Sequence, residues 1–151
     1  MSITGGCQCG AIRFRAAELG EASICHCRMC QKAFGGFYGP YVSMKPDQVT
    51  WTRGTPKYFA SSDKIKRGFC ADCGTPLTYE EIGRPDEQQV EIAIGAFDDP
   101  RVAAPVIQVN LADKLPFFDG LAALPIRTEY SPGWHEFMAN LVSHQHPDHD
   151  T

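Results

Sequence analysis

The sequence predicts a mainly β fold with one short C-terminal helix. Its apolar runs are short and tend to alternate, and its proline and glycine are spread along the whole chain. Ala11-Ile12-Arg13-Phe14-Arg15 alternates, with Ile12 and Phe14 on one face. Gln48-Val49-Thr50-Trp51-Thr52 does the same through Val49 and Trp51. Lys57 to Ser61 and Val106 to Leu111 carry weaker versions of the pattern. Val90-Glu91-Ile92-Ala93-Ile94 is the clearest strand, with Val90, Ile92 and Ile94 inward. Turn-rich stretches separate these segments: Gly35-Gly36, Arg53-Gly54 and Asp98-Asp99-Pro100. Near the C-terminus Ser131 suits a helix cap and Pro132 a first turn. Trp134, Phe137, Met138 and Leu141 fall on one face of that helix and are expected to pack on the sheet. The final segment, 144–151, has no apolar content and reads as a disordered tail, with histidines able to take up metal adventitiously. The rest, 1–143, reads as one domain.

The chain has 151 residues, 43% of them hydrophobic, as expected of one globular domain. A chain of this length buries roughly 68–70% of its unfolded surface, so it does not need a metal merely to exist. The net charge of −4 argues against non-specific nucleic-acid binding. No apolar run approaches the roughly 18 residues of a membrane span. The opening MSITGGCQCG lacks the basic and apolar regions of a signal peptide. The expectation is a soluble cytoplasmic protein with neither nucleic acid nor membrane as a partner.

In a reducing compartment clustered cysteines usually mean metal ligation or catalysis rather than disulfides. The seven cysteines fall in three groups: Cys7-Gln8-Cys9, Cys25-His26-Cys27-Arg28-Met29-Cys30 and Cys70-Ala71-Asp72-Cys73. Metal ligation, disulfide or redox chemistry, and plain burial are the three readings. An odd count leaves one thiol over in any all-disulfide scheme, and metal ligation accounts for the spacing best. Cys70-x-x-Cys73-Gly74 has the form of a zinc knuckle, with Gly74 able to take the positive φ of a tight turn. Cys7-x-Cys9-Gly10 is a tighter half-site. If that segment is extended, residues i and i+2 share a face and both sulfurs reach one ion. Pairing the half-sites gives a structural zinc site on Cys7, Cys9, Cys70 and Cys73, tying the N-terminus to mid-chain.

Cys25, Cys27 and Cys30 supply three more sulfurs, which leave one position of a tetrahedral zinc open. A strand ending near Cys27, followed by a helical turn through Cys30, would bring them together. His26 lies between two cysteines of one face, so its side chain is expected to point away. Three thiolates on zinc leave a net negative charge, which the neighbouring cations Arg28 and Lys32 could offset and through which they could contact a bound ligand. An incoming thiol would lose its proton at such a site and stay nucleophilic. The triplet therefore suits sulfur chemistry better than water activation, which usually relies on histidine-rich zinc.

Gly6-Cys7-x-Cys9-Gly10, Cys25-His26-Cys27-x-x-Cys30 and Ser61-Ser62 resemble the glutathione-dependent formaldehyde-activating enzyme family, which includes the centromere protein V group. So do Arg67-x-Phe69-Cys70-x-x-Cys73-Gly74-Thr75-Pro76-Leu77, Ile94-Gly95-x-Phe97-Asp98-Asp99-Pro100 and Lys114-Leu115-Pro116-Phe117-Phe118. The resemblance implies a β-tent of folded-over antiparallel sheets, a fold shared with a Rab GTPase release factor. It implies one structural zinc on Cys7, Cys9, Cys70 and Cys73 and a more labile zinc on Cys25, Cys27 and Cys30. It also implies an activity that joins glutathione to formaldehyde, classed as a carbon–sulfur lyase. One segment departs from the family pattern. Many relatives carry a histidine followed by an aromatic residue where this chain reads Val106-Ile107-Gln108-Val109-Asn110.

The leading functional expectation is thus a zinc-dependent carbon–sulfur lyase. Cys25, Cys27 and Cys30 would be its catalytic centre, with a small thiol such as glutathione and a small aldehyde as partners. Arg28 and Lys32, and further along Lys64, Lys66 and Arg67, are candidate contacts for glutathione carboxylates. Tyr38, Tyr41 and Phe34 are candidate cleft walls. A non-catalytic zinc-stabilised binding module and a thiol or zinc sensor are the alternatives.

Overall fold

The computed structural model describes residues 3–84 and 88–151. The strands are β1 (Ile3–Gly6), β2 (Arg13–Ala16), β3 (Ala22–Cys25), β4 (Gly39–Met44), β5 (Val49–Arg53), β6 (Lys57–Ala60), β7 (Ile65–Phe69), β8 (Pro76–Glu81), β9 (Val90–Ala93) and β10 (Ile107–Val109). The helices are α1 (Arg28–Phe34) and α2 (Pro132–Ala139). One sheet has the order β1-β2-β5 and the other the order β10-β3-β4-β9-β8-β7-β6. Every pairing is antiparallel except β10 with β3. This is the mainly β architecture that the sequence predicts.

Each expected strand appears, with ends shifted by one or two residues. Five strands gave no alternating signal, and their composition explains why. Strand β1 carries two glycines, β4 holds Pro40, β7 holds two cations and Gly68, and β8 begins at Pro76. Strand β3 is only four residues long.

Register sorts the side chains of the larger sheet into two faces. One face turns toward the small sheet. There Val42, Ile92, Val90 and Leu77 pack with Phe14 and Ala16 of β2 in a shared core. Phe14 is fully buried and meets Trp51 and Phe97 edge-on at centroid distances of 5.7 and 5.3 Å. The other face carries Ser23, Cys25, Tyr41, Ser43, Glu91, Tyr79 and Arg67, which are register partners or two residues apart on a strand. The core therefore occupies one side of the sheet and leaves the other for chemistry.

Asp98 locks the sheets together at one end. Its carboxylate accepts from Arg13 Nη1 at 2.9 Å and from Thr4 Oγ1 at 2.6 Å, while its N–H donates to Thr4 O at 2.9 Å. Burial acts upward on the Asp98 carboxyl, but the Arg13 and Thr4 hydrogen bonds outweigh it and hold the carboxyl below its usual range. The pair therefore stabilises the fold above the ordinary Asp value near 4, and the contribution fades as pH falls through the lower folded value. Asp98→Asn should strand the buried Arg13 guanidinium and cost about 3 kcal/mol. Urea unfolding at neutral pH should show that drop, and the difference from the parent should shrink in acid. An unchanged midpoint would make the pair energetically idle.

Helix α2 forms where its cap predicts, with Ser131 Oγ accepting from the Trp134 N–H at 3.2 Å. It does not pack on the sheet as expected. Phe137 is 63% exposed, and no residue of the helix is buried. One face of the larger sheet is covered by the small sheet and the other holds polar and charged side chains, and the ring contacts of the stripe are local, Trp134 with Phe137 at 5.8 Å and with the preceding Tyr130 at 6.0 Å. Residues 144–151 return to the small sheet. The His146 N–H donates to Gln8 O at 2.8 Å, Arg13 Nη2 donates to His149 O at 3.2 Å, and Arg53 Nη2 donates to Thr151 O at 2.8 Å. No helix among the described residues is long and apolar enough to cross a membrane.

Candidate metal centres

The cysteines assemble as two groups of metal-ligand type, Cys7 with Cys9, Cys70 and Cys73, and Cys25 with Cys27 and Cys30. Within each group the sulfurs lie within 4.8 Å of one another.

The first group is built from two turns. Cys7 to Gly10 is a turn after β1, not the extended segment expected for Cys7-x-Cys9. The Gly10 N–H closes it on Cys7 O at 3.0 Å, and the Gly74 N–H closes the second turn on Cys70 O at 2.9 Å. Gly10 and Gly74 have φ of 76° and 75°, values that a residue with Cβ rarely adopts. The Ile12 N–H points at Cys7 Sγ from 3.2 Å, and the Gln8 N–H donates to Thr75 Oγ1 at 3.0 Å, joining the turns. Sulfurs on a tetrahedral zinc, with bonds near 2.3 Å, stand about 3.8 Å apart. Cys7 Sγ and Cys9 Sγ are 3.5 Å apart, and Cys9 Sγ and Cys70 Sγ 3.8 Å, so four sulfurs fit one such ion. An all-sulfur donor set of this kind suits soft or borderline ions.

The triplet sits where β3 hands over to α1. Cys25 ends β3, Cys27 caps α1 by accepting the Cys30 N–H on its sulfur at 3.4 Å, and Cys30 lies in the first turn of α1. Cys30 Sγ accepts from Arg67 Nη2 at 3.5 Å, and Cys25 Sγ accepts from Asn110 Nδ2 at 3.1 Å. The hydrogen bond from Cys30 and then the Asn110 amide hold the Cys25 thiol down to about 5 against its burial, while sharing with Cys25 and burial push Cys30 up. A cation held by these sulfurs would displace the thiol protons. The donors fit a metal with three protein ligands and an open side.

That side is a cleft of about 370 Å³, lined among others by Tyr41, Arg67, Tyr79, Glu91 and Asn110. Arg67 is its only cation among the described residues. Arg67 is 7% exposed, and its guanidinium donates to Tyr41 Oη at 2.8 Å and Ser61 Oγ at 3.3 Å and lies over the Tyr79 ring at 5.1 Å. Burial pushes Tyr79 up to about 12 and also raises Tyr41, so both stay neutral phenols. Burial first, then the nearby Cys25 and Glu81, hold the Glu91 carboxyl above its ordinary value.

Arg28 and Lys32 lie beside the triplet in sequence but do not line the cleft. Both are exposed; Arg28 Nη1 donates to Gln31 Oε1 at 3.0 Å. A helix that begins at Arg28 carries successive side chains around its axis, so adjacency to Cys27 and Cys30 does not give a shared direction. Lys66 pairs with Glu80 at 2.9 Å, and Lys64 is exposed. Tyr41 lines the cleft, while Phe34 packs edge-on against Tyr41 at 5.1 Å and Tyr38 stands beside His26 and Phe118. His26 is fully buried and pairs through Nε2 with Gln108 Oε1 at 2.9 Å, apart from the converging sulfurs. Gln108 is thus the residue that meets His26 in the segment that departs from the family pattern.

The sequence reading passed over Glu91 and Asn110. Glu91 had a signal, because alternation with Val90 and Ile92 turns it to the face opposite the core. Asn110 had a weaker one: it is the single non-glycine residue with positive φ among the described residues, at 57°, and asparagine tolerates that region best.

A sequence model of the family described as "glutathione-dependent formaldehyde-activating enzyme" matches residues 2–113. Among curated proteins, an uncharacterized lyase of Schizosaccharomyces pombe is 33% identical over 76 residues, which cover 50% of this chain and 55% of that relative. The chain therefore spans little more than half the length of the relative it matches.

Proposed function

Because this chain belongs to the glutathione-dependent formaldehyde-activating enzyme family, we propose that it is a lyase that joins a small thiol to a small aldehyde in the Cys25, Cys27 and Cys30 cleft. The carrying observation is the convergence of three sulfurs on an open cleft floored by a buried arginine. In this reading Cys25, Cys27 and Cys30 hold a catalytic zinc, and Cys7, Cys9, Cys70 and Cys73 hold a structural one. Zinc at the triplet would keep an incoming thiol in its thiolate form at neutral pH.

The protein's own groups do the rest. The Asn110 amide fixes Cys25, the α1 cap fixes Cys27, and Arg67 fixes Cys30 while offsetting the negative charge of the thiolates. Arg67, rather than Arg28 or Lys32, is the cation we assign to the site. Tyr41 and Tyr79 wall the cleft and limit water beside the reacting sulfur. In the reaction the thiol sulfur adds to the aldehyde carbon, the carbon–oxygen π pair moves to oxygen, and that oxygen takes a proton from solvent.

Zinc-loaded protein should bind glutathione by calorimetry with release of a proton. It should then speed exchange between glutathione and its hydroxymethyl adduct above the spontaneous rate, as followed by NMR, and Cys25→Ala should abolish the excess. Neither binding nor a rate excess would sink the reading. Mild chelation should remove one zinc before the other, since only one group closes the tetrahedron with protein sulfur.

A further inference from the structure

We propose that the arm carrying α2 is a self-association surface, on which α2 packs against α2 of a second copy of this chain across a two-fold axis. This goes beyond the thiol–aldehyde reading and does not depend on it.

Residues 122–145 are all exposed, yet both ends of this stretch are tied to the body. Before it, Phe118 meets His26 edge-on at 4.6 Å and Tyr38 at 5.5 Å. After it, the His146 N–H donates to Gln8 O at 2.8 Å. Between these anchors Trp134, Phe137 and Met138 line one face of α2, and Leu141 continues that face just beyond the helix cap. A helix of eight residues is marginal in water without a surface to cover. The larger sheet offers none, since one face is packed on the small sheet and the other is lined by the polar and charged groups of the cleft.

Area and charge select the occupant. Eight large apolar residues between Leu124 and Val142 are 45–87% exposed. At roughly 150–250 Å² for each such side chain, the arm holds on the order of 900 Å² in water, close to the ~800 Å² that each partner of a stable pair buries. A two-fold contact covers that area on both copies at once. It also brings like residues near one another, so a surface poor in charge suits it. The charged residues of 122–145 are Arg127, Glu129 and Glu136, with His135 and His144 neutral at pH 7. One cation against two carboxylates gives no attraction to an anionic membrane, which draws in helices with a lysine- and arginine-rich polar face. The two anchors hold the stripe in place before a partner arrives, which lowers the entropy lost on pairing.

Light scattering behind a sizing column, at several loading concentrations, should give the parent a mass of two chains. Phe137→Glu and Phe137→Lys should each run as single chains, with dissociation constants raised about a hundredfold, as for a central aromatic anchor. Position 137 is exposed in the single chain, so both variants should keep the parent's metal content and far-UV spectrum. Mixed in equal amounts they should recover the two-chain mass, because glutamate then meets lysine across the axis. Leu141→Glu and Leu141→Lys, at another exposed position of the stripe, repeat the test if a Phe137 variant loses metal. A parent that stays single at the highest concentration overturns the proposal. So does a pair that survives both substitutions, since its interface then lies elsewhere. Loss of the pair without recovery on mixing overturns the packing of α2 on α2.

Discussion

Cys73→Ser should leave the protein largely unfolded at 37 °C, whereas Cys27→Ser should fold nearly as well as the parent. Metal bound at a four-sulfur site is coupled to folding, and a structural zinc contributes about 10–16 kcal/mol of apparent binding energy in small peptides. Domain stabilities run only from about 5 to 15 kcal/mol, so losing one of four thiolates removes an amount comparable to the whole, on the order of 5 kcal/mol. Position makes the loss severe. Cys9 and Cys70 stand 61 residues apart in sequence with sulfurs 3.8 Å apart, so the site ties the turn after β1 to the turn between β7 and β8. The triplet spans one strand end and one helical turn and closes almost no chain. Thermal unfolding with zinc counted before and after is the measurement. A Cys27 variant as unstable as the Cys73 variant would make the triplet structural as well.

Arg67→Gln should weaken metal retention at the triplet and lower the adduct-forming rate by about a hundredfold, roughly 3 kcal/mol. The guanidinium is buried against Cys30 and Tyr41, where removing one partner of a charged contact costs most because the other is left uncompensated. Glutamine keeps a hydrogen-bond donor but not the charge, and Arg67→Lys should recover part of the loss. The pH dependence separates charge from packing. Arg67 acts to lower Cys30, so the variant should need higher pH to take up cobalt, with the uptake curve shifted upward. The same rate loss with an unshifted curve would mean that Arg67 only supports the fold.

Much of the candidate site was legible because metal ligands must be of few residue types at short spacings. Cys70-x-x-Cys73-Gly74 announces a turn through its glycine, and that turn forms, whereas Cys7-x-Cys9-Gly10 announces a ligand pair but forms a turn where an extended segment was expected. The clustering of Cys25, Cys27 and Cys30 announced a second group, and its sulfurs converge. The cleft around that group was not legible. Arg67 lies far along the chain from Cys30, and only the β7–β8–β9–β4 pairing brings it over Tyr79 to the sulfur. Arg28 and Lys32 looked better placed because nearness in sequence was the available guide, and the turn of α1 faces them outward.

The sequence by itself determined the β class, the two ligand groups, the capped C-terminal helix and the family, since each depends on local pattern or residue identity. Tertiary structure alone decided which charges face the sulfurs. It put Glu91 and Arg67 on the open face of the larger sheet, left the stripe of α2 without a sheet to cover, and brought the end of the chain back to Arg13 and Arg53. The reason is physical. A ligand spacing or a helix cap is satisfied within a few residues, whereas the field at a site is set by strand order and register among segments far apart in the chain.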